Sequence, residues 1–464
     1  MEWKKLLSDK RIRDLFKKPE PRKKDQRTEF ERDYDRAIFC TPLRRLHDKA
    51  QVFPLEPNDS VRRRLTHSLE VSTVARDMGR AVGRWLEEED ILEKDQAEEQ
   101  TRAIETIAAT CGLIHDLGTP PFGHAGETAI REWFENKLKA DKNFFKGLGQ
   151  RVGPYVQDFL RFDSNAQTLR LISKLQVLSD LYGLNFTCAT VSAACKYTVA
   201  SDKVDNKYHD RSKPGYFSSE NELVKLVRGE TGIGCSRNPI TFIVEACDDI
   251  VYSVVDLEDA VSKKIFGWEV LKDRLIKASV NSNPVLNECF VDAEKMIKKP
   301  GAVELEGKSR DEGMAQAFRV CAISVAVSAA ITTFKDRYES VMEGKYHGEL
   351  VEDSRAASLI KTCKDVGLED VYRAEPNLRL EIMGRRIIHD LMDIFWEGAE
   401  RDRNQTRFSE KIFSLMSRNY RIVFENAANS GLPEKYRCMQ LVTDYISGMT
   451  DTFARELHKQ LTNG

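Results

Sequence analysis

Residues 113–127, LIHDLGTPPFGHAGE, concentrate polar side chains that could bind a metal ion or transfer a proton. The stretch contains His115, Asp116, His124 and Glu127, so it holds two of the chain's eight histidines. An apolar helix pattern precedes the doublet, and a glycine followed by two prolines ends it. The pattern therefore predicts a His-Asp doublet at a helix end, where both side chains can reach one ion.

Two other segments supply the partners that such a doublet needs. In RRRLTHSLEV, Arg64 and His67 are three residues apart on one helical face, which places a cation beside a candidate ligand. In EACDDIVYSVVDLEDA, Asp248, Tyr252 and Asp256 recur every fourth residue and form a polar stripe beside an apolar helical face. Two nitrogen and two oxygen donors suit Mn²⁺, Mg²⁺, Fe²⁺, Co²⁺ or Zn²⁺ and predict a hydrolytic site formed by His67, His115, Asp116 and Asp248.

A second His-Asp doublet, His389 and Asp390 in RIIHDLMDIF, shows that such a pair is weak evidence by itself. No Gly-Pro break follows it and no upstream partner accompanies it. We interpret it as helix surface or as a satisfied side-chain pair, because a histidine in isolation is more often a core or surface residue than a ligand.

The composition indicates a globular protein with a highly charged surface. Of the 464 residues 41% are hydrophobic, and 72 basic residues against 74 acidic ones leave a net charge of −2. The near-zero net charge therefore gives no overall electrostatic field that would indicate nucleic acid or a membrane as a partner. The ten scattered cysteines favour reduced thiols and a cytoplasmic protein. We expect neither export nor a membrane span, since the first residues lack the apolar core of a signal peptide and no run of eighteen apolar residues occurs.

Sparse Pro and Gly, together with apolar residues spaced three and four apart, predict an all-α fold with at most a short β-hairpin. Three charged segments punctuated by Gly or Pro are predicted as loops, at residues 17–27, 138–154 and 201–220. None is long enough for an interdomain linker, so we expect one domain over residues 1–464. Its metal-site core would span about residues 60–260, with a helical part over about 261–464 packed on it.

At these residues the sequence resembles the HD-domain metal-dependent phosphohydrolases, whose signature is a distant His, a His-Asp doublet and a final Asp. Within that superfamily it is most similar to the deoxyguanosine triphosphate triphosphohydrolases. The similar blocks follow the family's order over most of the chain: RTEFERDYDRAIFCTPLRRLHDKAQVFPL, RRRLTHSLEV, HDLGTPPFGHAGE, FDSNAQTLRLI, KPGYFSSE, EACDDIVYSVVDLEDA and DYISGMTDTFA.

The resemblance implies an HD-domain helical core with peripheral helices, a divalent ion such as Mn²⁺ or Mg²⁺, and a homo-oligomer, a hexamer by family likeness. It implies hydrolysis of a deoxynucleoside triphosphate (dNTP), usually dGTP, to the deoxynucleoside and intact triphosphate. One departure is Thr119, where many relatives carry His or Asn. Because threonine is shorter and uncharged, we expect the phosphate contacts or the nucleotide preference to differ from theirs. By position, the resemblance implies metal ligation by His67, His115, Asp116 and Asp248, sugar recognition by Gln51, Tyr252 and Asp256, phosphate binding by Arg64, and a reacting end with His124 and Glu127.

Several further residues carry two interpretations each. His124 oriented by Glu127 could move a proton, or the pair could be a supporting hydrogen-bonding histidine and a capping carboxylate. The candidates for phosphate or cleft contacts, with helix caps or surface residues as the alternative, are Lys196, Arg319, Asn165 and Gln167. The block DYISGMTDTFA has no evident chemistry, and its glycine predicts close helix packing or a subunit contact.

Two rival functions remain open at this point. Another HD-type enzyme, such as a nucleotide phosphodiesterase or an alarmone hydrolase, would use a related metal site. A nucleic-acid-binding regulatory module on the same fold would bind single-stranded DNA through KKPEPRKKDQR and VRRR.

Overall fold

The structure, a computed structural model, describes residues 1–19, 25–56, 58–149, 153–176, 180–279, 283–299, 306–400 and 408–462. Helices dominate these residues, which confirms the all-α prediction. In chain order the α-helices are α1 (Trp3–Leu6), α2 (Ile12–Phe16), α3 (Glu29–Phe39), α4 (Thr41–Arg45), α5 (Arg64–Glu88), α6 (Ala97–Ile114), α7 (Gly123–Ala140), α8 (Pro154–Leu160), α9 (Ser164–Arg170), α10 (Cys188–Ala194), α11 (Asn221–Thr231), α12 (Pro239–Ser262), α13 (Trp268–Ala278), α14 (Pro284–Ile297), α15 (Gly307–Met342), α16 (Ala357–Val366), α17 (Glu375–Ala399), α18 (Ser409–Leu415), α19 (Arg418–Asn426), α20 (Glu434–Ser447) and α21 (Asp451–Thr462).

The segments predicted as loops are partly ordered by short elements. Two strands, β1 (Val199–Ala200) and β2 (Pro214–Tyr216), pair in parallel, so the small sheet is not the hairpin that we allowed for. The chain between them makes 3₁₀ turns instead of a tight reversal, and a parallel pair needs such a long connection. Within the other two predicted loops, residues 20–24 and 150–152 lie outside the described residues.

Two hydrophobic clusters fill the interior, and α6 runs from one into the other. The first cluster joins α5, α6 and α12 with α13 to α16, and the second joins α7 to α9 with α17 to α20. Ile104 and Ile107 of α6 belong to the first cluster, whereas Leu113 and Ile114 at its end belong to the second. The His-Asp doublet follows directly, so it lies at the junction of the two clusters.

The division into domains stays a prediction. Elements from both sides of residue 260 share each cluster, because α15 packs on α12 and α17 packs on α7. All ten cysteines are free thiols, as their spacing predicted.

Helix α15 is the one described helix long and apolar enough to cross a membrane by length and composition. Its most apolar window has a mean hydropathy of 1.7, and 44% of that window is buried within the chain. The helix packs against α5, α12, α13 and α14, with Phe318 and Phe334 in the first cluster. This packing accounts for its apolar residues.

Candidate metal centre and nucleotide cavity

Three helices bring the four predicted metal ligands together. His67 lies in the first turn of α5, His115 and Asp116 follow α6, and Asp248 lies in the middle of α12. The His67 Nε2 atom is 3.0 Å from Asp248 Oδ1, and His115 Nε2 is 3.5 Å from both Asp248 Oδ1 and Asp116 Oδ2. Donor atoms of His67, His115 and Asp116 all lie within 4.8 Å of one another.

Neighbouring groups hold these side chains in place. His115 Nδ1 lies 2.7 Å from the carbonyl oxygen of Gly112, one turn earlier in α6, which leaves Nε2 pointing to the cluster. Arg64, the first residue of α5, donates from its guanidinium to Asp116 Oδ2 at 2.6 Å. A cation thus lies beside the candidate ligands, as the spacing of Arg64 and His67 predicted.

Burial and charge act against each other in this cluster. Burial opposes protonation of His115, but the carboxylates of Asp116 and Asp248 outweigh it and hold its pKa well above the usual range. Burial likewise opposes ionisation of both carboxyls. Arg64 and His115 outweigh it at Asp116, and the two histidines do so at Asp248, so both carboxyl pKa values are low. A divalent cation bound here would supply positive charge next to these carboxylates.

The cluster fits a metal ion by two tests. Donor atoms about 2.1 Å from one ion, at angles of 90° to 110°, lie about 3.0–3.4 Å apart, close to the observed separations. Moreover, the buried His115 Nε2 atom, which faces the cluster, makes no hydrogen bond to any described residue. Imidazole and carboxylate donors without a thiolate suit the divalent ions named above.

Three members of the cluster, His115, Asp116 and Asp248, form part of the wall of a cavity of about 560 Å³, a size typical of small-molecule sites. His67 is buried and is not among the lining residues. Most of the predicted substrate residues line it as well. Those on its wall are Gln51, Arg64, His124, Asn165, Lys196, Tyr252 and Asp256.

Two acceptor atoms in this cavity are left without a partner. Gln51 Oε1 and Asp256 Oδ1 are buried and make no hydrogen bond to any residue that the structure describes. Asp256 is 2% exposed, and its other oxygen accepts a short hydrogen bond from the Tyr372 hydroxyl. Burial raises the pKa of Asp256 to about 7, although the bond from Tyr372 acts in the opposite direction. Buried acceptors without partners indicate a ligand that donates to them.

His124 and Glu127 combine the two interpretations that the sequence left open. The His124 side chain is 87% exposed at the cavity, and its Nδ1 is 3.5 Å from Glu127 Oε2. Glu127 is buried and also accepts the backbone N–H of Ser164, at the start of α9. Burial opposes ionisation of Glu127, but His124 and Arg131 lower its pKa to about 2. The carboxylate therefore both orients the histidine and caps a helix.

The structure does not bring two of the predicted cleft residues to this cavity. Gln167 is buried behind it, and its amide donates to Asp444 Oδ1 at 3.0 Å. Arg319 borders a separate groove between α5 and α15 and pairs with Glu258 at 2.9 Å. On α9 the helical turn directs Asn165 to the cavity and Gln167 away from it. Arg319 lies on α15, a helix that packs against α12, and its side chain borders the α5–α15 groove.

Lys196 lines the cavity at the edge of a dense group of charges. Its Nζ is 3.5 Å from Glu245, which also pairs with Arg237 at 2.5 Å. His209 contacts Glu245 with Nε2 at 2.9 Å and Glu349 with Nδ1 at 2.5 Å. Because Glu245 and Glu349 engage both imidazole nitrogens, this His-Glu-Glu group is an ion-pair network and leaves neither nitrogen free for a ligand.

The second His-Asp doublet is satisfied by protein partners. His389 Nε2 lies 3.0 Å from the Ala129 carbonyl oxygen, while Asp390 pairs with His458 and Arg386. This arrangement confirms the interpretation of the doublet as a satisfied pair.

Other cavity residues were missed by the sequence reasoning. Tyr372 ends a π-helical turn (Gly367–Tyr372), and Glu381 lies in the second turn of α17. Lys213 precedes β2, and Asp249, next to the candidate ligand Asp248, lines the wall and pairs with Lys364 at 3.2 Å. Of these, Lys213 lies within the quoted block KPGYFSSE and Asp249 within EACDDIVYSVVDLEDA, whereas no spacing rule connects Tyr372 or Glu381 to the doublet.

Gly118, directly after the doublet, determines how closely α9 approaches. A Cβ atom at this position would lie 2.2 Å from the Ser164 carbonyl oxygen and 2.4 Å from the Thr168 nitrogen. The backbone of α9 therefore packs on the glycine itself, and a side chain of any size would push the helix away.

Comparison with known proteins agrees with this geometry. The HD domain family matches residues 64–149, and the Phosphohydrolase-associated domain family matches residues 351–460. The chain is 35% identical to deoxyguanosinetriphosphate triphosphohydrolase-like proteins of Listeria monocytogenes and Listeria innocua, over 99% of both sequences in each pair. It is 32% identical to the deoxyguanosinetriphosphate triphosphohydrolase of Klebsiella pneumoniae, over 93% of both sequences. The chain thus belongs to the deoxyguanosinetriphosphate triphosphohydrolase-like family of HD-domain phosphohydrolases.

Proposed function

We propose that the protein is a metal-dependent dNTP triphosphohydrolase that converts dGTP to deoxyguanosine and inorganic triphosphate. The observation that carries the proposal is the convergence of His67, His115, Asp116 and Asp248 in a cavity of nucleotide size. The names of the related proteins support the reaction and the substrate. The other HD-type hydrolases remain the alternative that product analysis distinguishes.

In this reaction water attacks the α-phosphorus, the bond from that phosphorus to the 5′-oxygen breaks, and the 5′-oxygen takes up a proton. His67, His115, Asp116 and Asp248 would hold a divalent ion, Mn²⁺ or Mg²⁺ in our proposal. When bound, it supplies a Lewis acid at the α-phosphate.

The cavity's cations hold the triphosphate. Arg64 lies beside the ligand cluster, and its Nε is buried without a hydrogen bond to a described residue. Lys196 and Lys213 line the same cavity. Together they offset the charge that grows on the leaving triphosphate. We propose that His124, oriented by Glu127, donates the proton to the 5′-oxygen.

Other residues of the cavity recognise the deoxynucleoside part of the substrate. Asp256 accepts from the 3′-hydroxyl, and Gln51 contacts the sugar beside it. The rings of Tyr252 and Tyr372 pack where a ribose 2′-hydroxyl would project. Glu381 lines the cavity and has no ion-pair partner among the described residues. A carboxylate there can accept from N1–H and the 2-amino group of guanine, whereas adenine lacks both donors.

Incubation with each dNTP and with GTP, under Mn²⁺ or Mg²⁺, tests the proposal when the products are separated by chromatography. Deoxyguanosine and triphosphate are expected, with no turnover of GTP. The Asp116→Asn variant should lose activity, whereas Asp390→Asn, the same change in the second doublet, should keep it. Formation of dGMP with pyrophosphate, or of dGDP with phosphate, would refute the assignment.

Localisation, oligomeric state and DNA binding also belong to this proposal. We propose a cytoplasmic homo-oligomer, with the family's hexamer as the first assembly to test by light scattering. Single-stranded DNA binding through the basic segments is the second function to test. Only part of KKPEPRKKDQR belongs to the described residues. Phosphate-mediated binding would weaken steeply with salt and persist in the Asp116→Asn variant.

A further inference from the structure

The block DYISGMTDTFA (444–454), to which the sequence assigned no chemistry, lies against the back of the nucleotide cavity. Its second carboxylate, Asp451, is the first residue of α21 and is 1% exposed. Asp451 does not line the cavity. Both of its oxygens accept backbone hydrogen bonds from cavity segments: Oδ1 from Phe122 N–H at 2.9 Å and Oδ2 from Ala50 N–H at 3.0 Å.

These two N–H groups belong to segments that carry proposed functional residues. Ala50 immediately precedes Gln51, and Phe122 lies two residues before His124. Phe122 has φ 63° and ψ 19°, a left-handed conformation that costs energy for a bulky residue, and it is the N-cap residue of α7. The hydrogen bond to Asp451 offsets this cost and fixes the direction in which α7 leaves the turn.

Neighbouring contacts of the same block strengthen the connection. Lys49 Nζ, buried beside Ala50, donates to the carbonyl oxygens of Ser447 at 2.8 Å and of Thr119 at 2.5 Å. Asp444 accepts from Arg170 through both oxygens, which ties α20 to α9. The block thus contacts three cavity segments through buried hydrogen bonds.

We propose that Asp451 is a positioning residue. It fixes the segment that carries Gln51 (residues 48–54) relative to the turn that carries His124 (residues 119–126). The Phosphohydrolase-associated segment would then act as a brace of the active site and not only as a peripheral helical region. The kinetic part of this inference rests on the proposed function. Its structural part does not.

Asp451→Asn is the informative change, because the amide keeps the size but replaces one acceptor oxygen by a donor. One backbone N–H then faces another donor group. Hydrogen–deuterium exchange with mass spectrometry should show faster exchange in peptides covering residues 48–54 and 119–126. Peptides of α13 should exchange as before.

The matched control is Asp33→Asn. Asp33 is also fully buried and uses both oxygens, for Arg11 at 2.8 Å and for Thr187 N–H at 2.8 Å. Neither of these partners lines the cavity, whereas Ala50 and Phe122, the partners of Asp451, both do. Both variants are expected to lower thermal stability. Only Asp451→Asn should lower kcat for dGTP, by about 100-fold, as expected for a displaced catalytic group.

A double-mutant cycle separates positioning from general damage. In a His124→Ala background, Asp451→Asn should have little further effect on kcat, since the group that it positions is absent. Unchanged exchange at residues 119–126, or a kcat per folded molecule like that of Asp33→Asn, would overturn the proposal. If the native protein does not hydrolyse dGTP, the proposed function fails, and the exchange measurement still decides whether Asp451 is a brace.

Discussion

Removing the 3′-hydroxyl of the substrate tests the sugar site more directly than any single substitution. Asp256 Oδ1 is buried and without a partner in the described structure, and the short bond from Tyr372 engages the other oxygen. With 2′,3′-dideoxy-GTP bound, the buried Oδ1 would be left without the donor that the 3′-hydroxyl of dGTP supplies. We therefore expect the enzyme to turn over this analogue more slowly than dGTP.

The size of the effect follows from the charge of the acceptor. A hydrogen bond to an ionised carboxylate contributes about 1.5–3 kcal/mol. At 1.36 kcal/mol for each factor of ten, kcat/KM should fall by about 10- to 160-fold. The measurement should be made near pH 8.5, because the pKa of Asp256 is about 7 and the carboxyl must be ionised.

The assay compares kcat/KM for the two nucleotides in the native enzyme and in the Asp256→Ala variant. Because the variant has lost the acceptor, its ratio should approach one even though both of its rates are low. Asp390→Asn serves as control and should keep the full ratio. Equal turnover of the two nucleotides by the native enzyme, or an unchanged ratio in Asp256→Ala, would refute the assignment of Asp256 to the 3′-hydroxyl.

Three further outcomes are expected. Mn²⁺ at 100 times its Kd should add about 2.7 kcal/mol to the free energy of unfolding, and a melting scan of His67→Ala should show little of this gain. Burial raises the pKa of Asp158 to about 6 in the folded chain, against about 3.9 in the unfolded chain. The protonated carboxyl therefore makes its full contribution to the free energy of unfolding below pH 4, and this contribution is lost as the pH rises through 6. Asp158→Asn should therefore flatten the pH dependence of urea-derived stability between pH 4 and 6, because the amide does not titrate; a slope like that of the native protein would contradict this. Asp444→Ala removes the bidentate partner of buried Arg170 and should cost about 3–5 kcal/mol in the same urea titration, whereas a loss below 1 kcal/mol would show that Glu220 suffices.

The helical fold and the cluster of candidate ligands could be predicted because their signals are local. Apolar spacing identified α6 and α12, and the stripe of Asp248, Tyr252 and Asp256 lies along one wall of the cavity, as its four-residue repeat predicted. The glycine and prolines after Asp116 ended the helix where expected. Each of these signals spans only a few residues.

What could not be predicted depends on contacts between distant segments. Tyr372 reaches Asp256 from 116 positions away, and Asp451 reaches Ala50 from 401 positions away. Neither residue lies in a pattern that carries chemistry. Gln167 was misplaced for a related reason: a cleft position and a buried position differ by only two residues on α9, and the sequence does not state which side of that short helix faces the cavity.

The contact between Gly118 and α9 also bears on how this cavity could be redesigned. Because backbone meets backbone there, trimming side chains of the wall would widen the cavity locally and leave the distance between α6 and α9 unchanged. A bulkier nucleotide would instead require the whole helix to be reseated, together with its anchor on Asp444. Directed evolution toward larger substrates should therefore select coupled changes in α9 and α20 in preference to single enlargements of the pocket.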